Sequence, residues 1–303
     1  MNIFERVTNM ILEALNKGEI PWKRPWQVDT PKNLITKREY RGINRLLLSM
    51  AGFSSPWFLS FLQAKHLGGK VKQGEKGNLV VFYGEVEVVD KKKPVEAVAV
   101  TGKEIEETET EMAEKATEKR VKKILRYSYV FNIEQCELPE MKALQDREIN
   151  KINNPIKACE QIISGMPEPP IIDFGYNEAC YIPTLDKIEM PSREFFVSSE
   201  FFYATLFHEV VHSTGHESRL FRNLNGFFGS NKYTNEELVA EIGSSFLCNQ
   251  TGIAEKVFNN SVAYIQGWAE VLKKDKKLIL EAASSAQKAV DYILGSTANN
   301  QGA

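Results

Sequence analysis

Two histidines four residues apart, with a glutamate directly after the first, limit this chain more than any other feature: His208-Glu209-Val210-Val211-His212. On a helix, positions four apart project from one face, a turn from each other. Two neutral imidazoles so placed can reach one tetrahedral zinc ion, and Glu209 between them can take a proton from a water that the metal has made acidic. The chain has four histidines, and three of them lie between 208 and 216. The flanks suit a helix: Ser198 and Ser199 can cap its start, and Phe202, Leu206, Val210 and Val211 recur at helical spacing. Gly215 suits a left-handed stop. The plain alternative is an amphipathic helix with two surface histidines.

A catalytic zinc site needs a third protein ligand and an open fourth position. Downstream, Glu237 and Glu241 share one face of a second helical segment that starts near Tyr233. A carboxylate pair at this spacing resembles the second helix of gluzincins, where the first acid binds metal and the later one orients a ligand histidine. Glu237 is therefore the expected third ligand and Glu241 its support. Glu236 and Glu241 remain rivals for the ligand role, and Thr234-x-x-Glu237 would equally fit a capping box. His216, just past the expected helix end, is expected beside the metal rather than on it. Tyr233 and Tyr264 could each donate to a developing oxyanion or simply pack.

Charge is unevenly spread. Residues 1–82 hold 13 lysines and arginines against 6 acids, a net of +7, whereas residues 124–303 hold 16 against 23, a net of −7. A basic first part calls for an anionic partner. It also interleaves aromatic rings with its cations, the combination that holds single-stranded nucleic acid through phosphates and stacked bases. Trp22, Lys23, Arg24 and Trp26 form one cluster; Tyr40, Arg41, Asn44 and Arg45 form a second; Trp57, Lys70, Lys72 and Lys76 complete the surface. Tryptophans also serve as core anchors, which is the competing use of the same residues.

Apolar spacing predicts helices over residues 3–16, 43–50 and 56–67, a strand over 79–83 that continues through 86–89, and pairing of that strand with alternating residues 127–133. Residues 90–123 carry 9 basic and 9 acidic residues and read as an exposed charged insertion with a fraying helix near 111–123. Strands are expected at 171–174, 180–182 and 186–190, the last as an edge able to pair with a peptide, and one long helix from Val262 to Leu294. The expected fold is α+β in two domains, 1–140 and 156–303, joined by a linker at 141–155. Cys136, Cys159, Cys180 and Cys248 lack metal-finger spacing and read as free thiols of a cytoplasmic protein. No apolar run is long enough to span a bilayer.

Taken together, the motifs resemble the ArdC-type antirestriction proteins of mobile elements. In the first part these are Pro21-Trp22…Pro25-Trp26, Tyr40-Arg41-Gly42-Ile43-Asn44, Gly68-Gly69-x-Val71-x-x-Gly74-x-Lys76-Gly77 and Val130-Phe131-Asn132-x-x-Gln135-Cys136. In the second they are His208 to His216, Phe228-Gly229-Ser230, and Tyr233 with Glu236 to Gly243. The resemblance implies an N-terminal domain that binds single-stranded DNA, similar to one fused to plasmid primases, and a C-terminal zincin-like metallopeptidase domain. It implies a zinc cofactor, with other divalent metals able to use the same ligands, and a protein or peptide substrate for the second domain. Two other functions fit the same residues: a non-catalytic DNA binder with a structural metal, and a DNA-stimulated protease acting on DNA-bound proteins.

Overall fold

The structure is a computed structural model that describes residues 2–23, 30–89, 119–139, 155–222, 224, 231–254 and 262–296. In chain order the elements are α1 (Ile3–Asn16), β1 (Lys32–Asn33), α2 (Ile43–Met50), β2 (Trp57–Leu59), α3 (Phe61–His66), β3 (Lys70–Val71), β4 (Asn78–Val89), β5 (Lys119–Asn132) and β6 (Cys136–Glu137). Then follow α4 (Pro155–Gly165), β7 (Ile171–Phe174), β8 (Cys180–Ile182), β9 (Lys187–Met190), α5 (Ser199–Ser213), α6 (Asn231–Thr251), α7 (Val262–Lys274) and α8 (Leu278–Ile293). The fold is α+β, as expected. Contacts group residues 1–80 and 127–303 into one compact unit and residues 81–126 into a second.

In the first part, β1, β2, β5 and β4 form a sheet in that order, with β1 parallel to β2 and β2 antiparallel to β5. Leu48, Phe58, Val80 and Val130 pack on one another, and Leu34, Leu59, Ala64, Ile133 and Cys136 make a second cluster. Residues 56–67 are not one helix. Trp57–Leu59 is a strand, and Ser60 starts α3 with a capping box in which its hydroxyl accepts from the Gln63 N–H and the Gln63 side chain accepts from the Ser60 N–H. Such a cap fixes the boundary that apolar spacing blurred. Residues 119–123 are strand rather than fraying helix; the rest of the charged insertion, residues 90–118, and most of the expected linker lie outside the described residues.

Asn132 and Gln135 tie the basic turn to this sheet. Asn132, fully buried, donates from Nδ2 to the Ser55 carbonyl at 2.7 Å. Gln135 accepts from Asn78 Nδ2 at 2.9 Å and donates from Nε2 to the Glu75 carboxylate (2.8 Å) and the Lys76 carbonyl (3.0 Å). The Asn-x-x-Gln motif is thus a polar brace that satisfies buried amides and fixes the 74–77 turn.

The N-terminal helices pack on the C-terminal ones. Helix α1 lies along α7, and Thr8 Oγ1 donates to the Lys276 carbonyl at 2.8 Å. Helix α2 meets α8. There Gly42, at φ +53°, donates its N–H to Gln287 Oε1 at 3.1 Å, and a Cβ would come within 3.4 Å of the Ala283 carbonyl oxygen. Arg41 pairs with Asp291 beside it. Trp22 sits on α6, fully buried, with its ring edge-on to Trp268 at 6.0 Å.

The second part has a three-stranded sheet in the order β7-β9-β8, with β7 parallel and β8 antiparallel to β9. Lys187–Met190, expected at the edge, is therefore the central strand: both its neighbours pair with it, and Ile188 and Met190 are fully buried. The outer strand packed against α5 on that sheet is β8. The expected long helix is two, α7 and α8, broken where Asp275 Oδ1 accepts the Lys277 N–H at 2.8 Å. All four cysteines are free thiols, three of them buried. No helix among the described residues is long and apolar enough to cross a membrane.

Trp22 belongs to the core, so Trp22→Ala should destabilise the protein by about 3–5 kcal/mol in urea unfolding. A solvent-exposed base platform could be removed at almost no cost in stability.

Candidate metal centre

Helices α5 and α6 present the predicted residues to each other. The Ser198 hydroxyl accepts from the Phe201 N–H and starts α5, which carries His208 and His212 on the face turned to α6. Gly243 lets the helices close up, since a Cβ there would lie 2.9 Å from both Val211 methyls. Gly215 has a related role. It is not in the left-handed region; a Cβ would instead meet Leu224 Cδ2 at 2.6 Å.

His208 Nε2 and His212 Nε2 lie 3.1 Å apart. Glu237 completes the group, with Oε2 at 3.5 Å from His208 Nε2 and Oε1 at 3.6 Å from His212 Nε2. Tetrahedral bonds of about 2.0–2.1 Å put ligand atoms roughly 3.3 Å apart, so these three donors fit one small divalent ion. Among the described residues they are a cluster of metal-binding type, with ligand atoms all within 4.8 Å. Helix α6 begins at Asn231, three residues before Thr234, so Thr234 and Glu237 lie inside the helix and form no capping box at its start.

Electrostatics favour a carboxylate here. Burial pushes the Glu237 carboxyl up, but its bond to His208 and the nearby imidazoles more than offset this and hold it below the usual range. Burial pushes His208 down, and the Glu237 bond with the charges of Glu209 and Glu241 raises it overall. Glu209 is 8% exposed. Tyr233 is hydrogen-bonded to Glu237, and burial together with that carboxylate raises its phenol. The Tyr264 side chain lies outside the described residues.

The residue that orients His212 is Glu236. Its Oε1 lies 3.3 Å from His212 Nδ1. Arg222 holds it with two donors, Nε to Oε2 at 3.0 Å and Nη2 to Oε1 at 2.6 Å. Arg222 also donates to Thr214 Oγ1 (2.7 Å) and the Val211 carbonyl (2.9 Å). Burial raises the Glu236 carboxyl, yet the His212 and Arg222 bonds outweigh it and bring the group down. An anchored carboxylate on the far ring nitrogen fixes the tautomer of a ligand histidine. Glu241, expected in that part, acts on His208 through its charge. His216 is outside the cluster, in the turn after α5, where its Nδ1 accepts from the Ser218 N–H at 3.3 Å. Arg222 was missed: it lies in the segment after the motif, where nothing periodic marks it.

The predicted DNA-binding residues fare differently. Trp22 is core, as its packing on Trp268 requires. Tyr40 is half-buried, edge-on to Phe58 at 6.3 Å, and its hydroxyl accepts from Asn33 Nδ2. Arg41 is engaged with Asp291, Asn44 sits half-buried in α2, and Arg45 is buried, its guanidinium 4.3 Å from the Phe246 ring centroid, rather than on the surface. Lys70 pairs with Glu137 at 3.0 Å, and Lys72 donates to the Glu134 carbonyl at 2.7 Å; both stay exposed, as does Lys76. Arg24, Trp26 and the Lys23 side chain lie outside the described residues.

Two histidines and a glutamate from adjacent helices define a zincin-like arrangement, and the zincin-like metallopeptidase family matches residues 160–285. The N-terminal domain of anti-restriction factor ArdC matches residues 1–131. The crystal structure of the antirestriction protein ArdC from plasmid R388 superposes with a TM-score of 0.71 in its metal-free form and 0.70 in its Mn(II)-bound form. It is 34% identical, with 100% of each chain covered in the metal-free comparison, and with 99% of this chain and 100% of the relative in the other. The uncharacterized protein y4eC of Sinorhizobium fredii is 31% identical over 96% of this chain and 91% of that one. Two DNA primase TraC proteins of Escherichia coli are each 32% identical over 96% of this chain, which spans 27% and 20% of their lengths. The chain belongs to the ArdC antirestriction family.

Replacing Glu236 with Ala should weaken metal binding about 10–100-fold in competition with a chromogenic chelator. Undiminished affinity would remove its orienting role.

Proposed function

We propose that this protein binds single-stranded DNA entering a cell with a mobile element, shields it from restriction, and carries a zinc-dependent peptide-hydrolysing site in its second module. The modules are residues 1–140 and 156–303, and the place of action is the cytoplasm. The observation that carries the hydrolytic part is the convergence of His208, His212 and Glu237 with Glu209 on the same helix as the histidines. A structural metal site has no use for that glutamate.

His208, His212 and Glu237 are the residues that would hold the ion. When bound, a divalent metal supplies Lewis acidity, which makes a water acidic and polarises a carbonyl. Glu209 accepts the water's proton at its carboxylate and passes it to the leaving amine. Tyr233, bonded to Glu237, is a phenol beside the site that would donate to a developing oxyanion. Strand β8, at the edge of its sheet and packed against α5, offers its outer backbone to an extended substrate. The donor set of two imidazoles and a carboxylate suits zinc, and manganese, cobalt or nickel can use it too.

The net charge of +7 over residues 1–82 supports the DNA reading. Binding to a single-stranded oligonucleotide should exceed binding to duplex and should fall steeply with salt as counterions are released. Equal affinity for both forms would count against it.

Glu209→Gln should keep metal and DNA while losing peptide hydrolysis by at least about 100-fold. If protection of transferred DNA persists in that variant, binding alone provides it. Chelation of the metal should leave helicity by circular dichroism unchanged, because α5 and α6 pack directly on each other, with Val211 against Gly243. Unfolding on chelation would instead make the metal structural.

A further inference from the structure

We propose that Tyr127 and Tyr129, on the open face of β5, form the platform on which bases of single-stranded DNA stack. This rests on the DNA reading above and gives it a location that the sequence did not.

Alternate residues of a strand face opposite sides of the sheet. Val130 and Asn132 point into the core, at 5% and 0% exposure. Tyr127 and Tyr129 share the other side and are 56% and 39% exposed. Their rings lie 6.1 Å apart, edge to face. Strand β5 pairs with β2 at Phe131 and Asn132 and has β4 as its other neighbour, and Tyr127 and Tyr129 lie in the same strand just before the β2 pairing, so the pair stands on regular strand rather than on a loop. A sheet face with aromatics at alternating positions is a surface on which unpaired bases stack.

Cations flank the pair. Arg6 of α1 donates from Nη1 to the Tyr129 hydroxyl at 2.6 Å, and its guanidinium carbon lies 5.4 Å from that ring's centroid. On the other flank, a Cβ at Gly77 would lie 2.8 Å from Tyr129 Cβ and 3.2 Å from Phe131 Cζ. Glycine therefore lets the basic turn reach the ring, and the Gln135 brace holds Lys76, itself exposed, at that position. Positive charge beside stacked bases meets the phosphates that join them. Of the rings first expected to do this, Trp22 is in the core and Tyr40 lies against Phe58, while Trp26 is outside the described residues.

The test is fluorescence anisotropy of a labelled oligothymidine with the full-length protein. The double change Tyr127→Ser and Tyr129→Ser should weaken binding at least about 10-fold, and Tyr→Phe at both positions should stay within about threefold, because stacking needs the ring and not the hydroxyl. An abasic oligonucleotide should bind wild type and the double Ser variant alike. Independently of how well any variant folds, photocrosslinking of wild type to a 5-iodouracil oligonucleotide should mark Tyr127 or Tyr129 by mass spectrometry. Undiminished binding by a folded Ser variant, or crosslinks confined to other residues, overturns the platform while DNA binding stands. A wild-type protein with no affinity for the oligonucleotide removes the DNA reading and the platform with it.

Discussion

Ligands on two helices can serve one ion only when the helices approach closely, and here a single missing side chain sets that approach. At Gly243 the Val211 methyls occupy the space a Cβ would need. Val211 is in the same helical turn as His208 and His212, so the contact lies on the helix that carries both imidazoles. Helix α6 then turns Glu237 toward both histidines, and Glu236, the preceding residue, toward the far nitrogen of His212. Two adjacent acids thereby take different tasks from one helical phase. Arg222 makes this arrangement affordable electrostatically, since the largely enclosed Glu236, its side chain 12% exposed, would otherwise be an uncompensated charge.

Most of the metal centre was legible because it is built from local spacing. The i, i+4 histidines and the glutamate between them need only a helix, and Ser198 starts that helix where the sequence indicated. The roles of Glu236 and Glu237 depend on where α6 begins, and spacing placed that start too late. With Asn231 as the first helical residue, the capping alternative for Glu237 disappears. Arg222 was illegible for a different reason. Its value comes from contacts with Glu236, Thr214 and Val211 that arise only when the segment after α5 folds back.

The N-terminal half shows the limits of composition. A tryptophan among lysines looks the same whether it faces water or another ring, and only packing against Trp268 decides for Trp22. Likewise Tyr40-Arg41-Gly42 reads as an aromatic-cationic surface, yet Gly42 and Arg41 bind the Gln287 and Asp291 side chains of α8. Strand order escaped as well: β9 had the length and terminal proline of an edge strand, but it runs between partners that precede it in sequence. In contrast, the alternation at residues 127–132 marked a strand, although its aromatic positions 127 and 129 are exposed while Val130 and Asn132 are buried.

The docking of α1 and α2 onto α7 and α8 has a bearing on how such chains are inherited. A break between the two halves would strip Trp22 from Trp268 and leave the Arg41 partner on α8 without its cation. Recombination that moves one half alone would therefore deliver a piece with an open apolar wound. In the TraC primases, which match 96% of this chain within much longer ones, the two halves occur together.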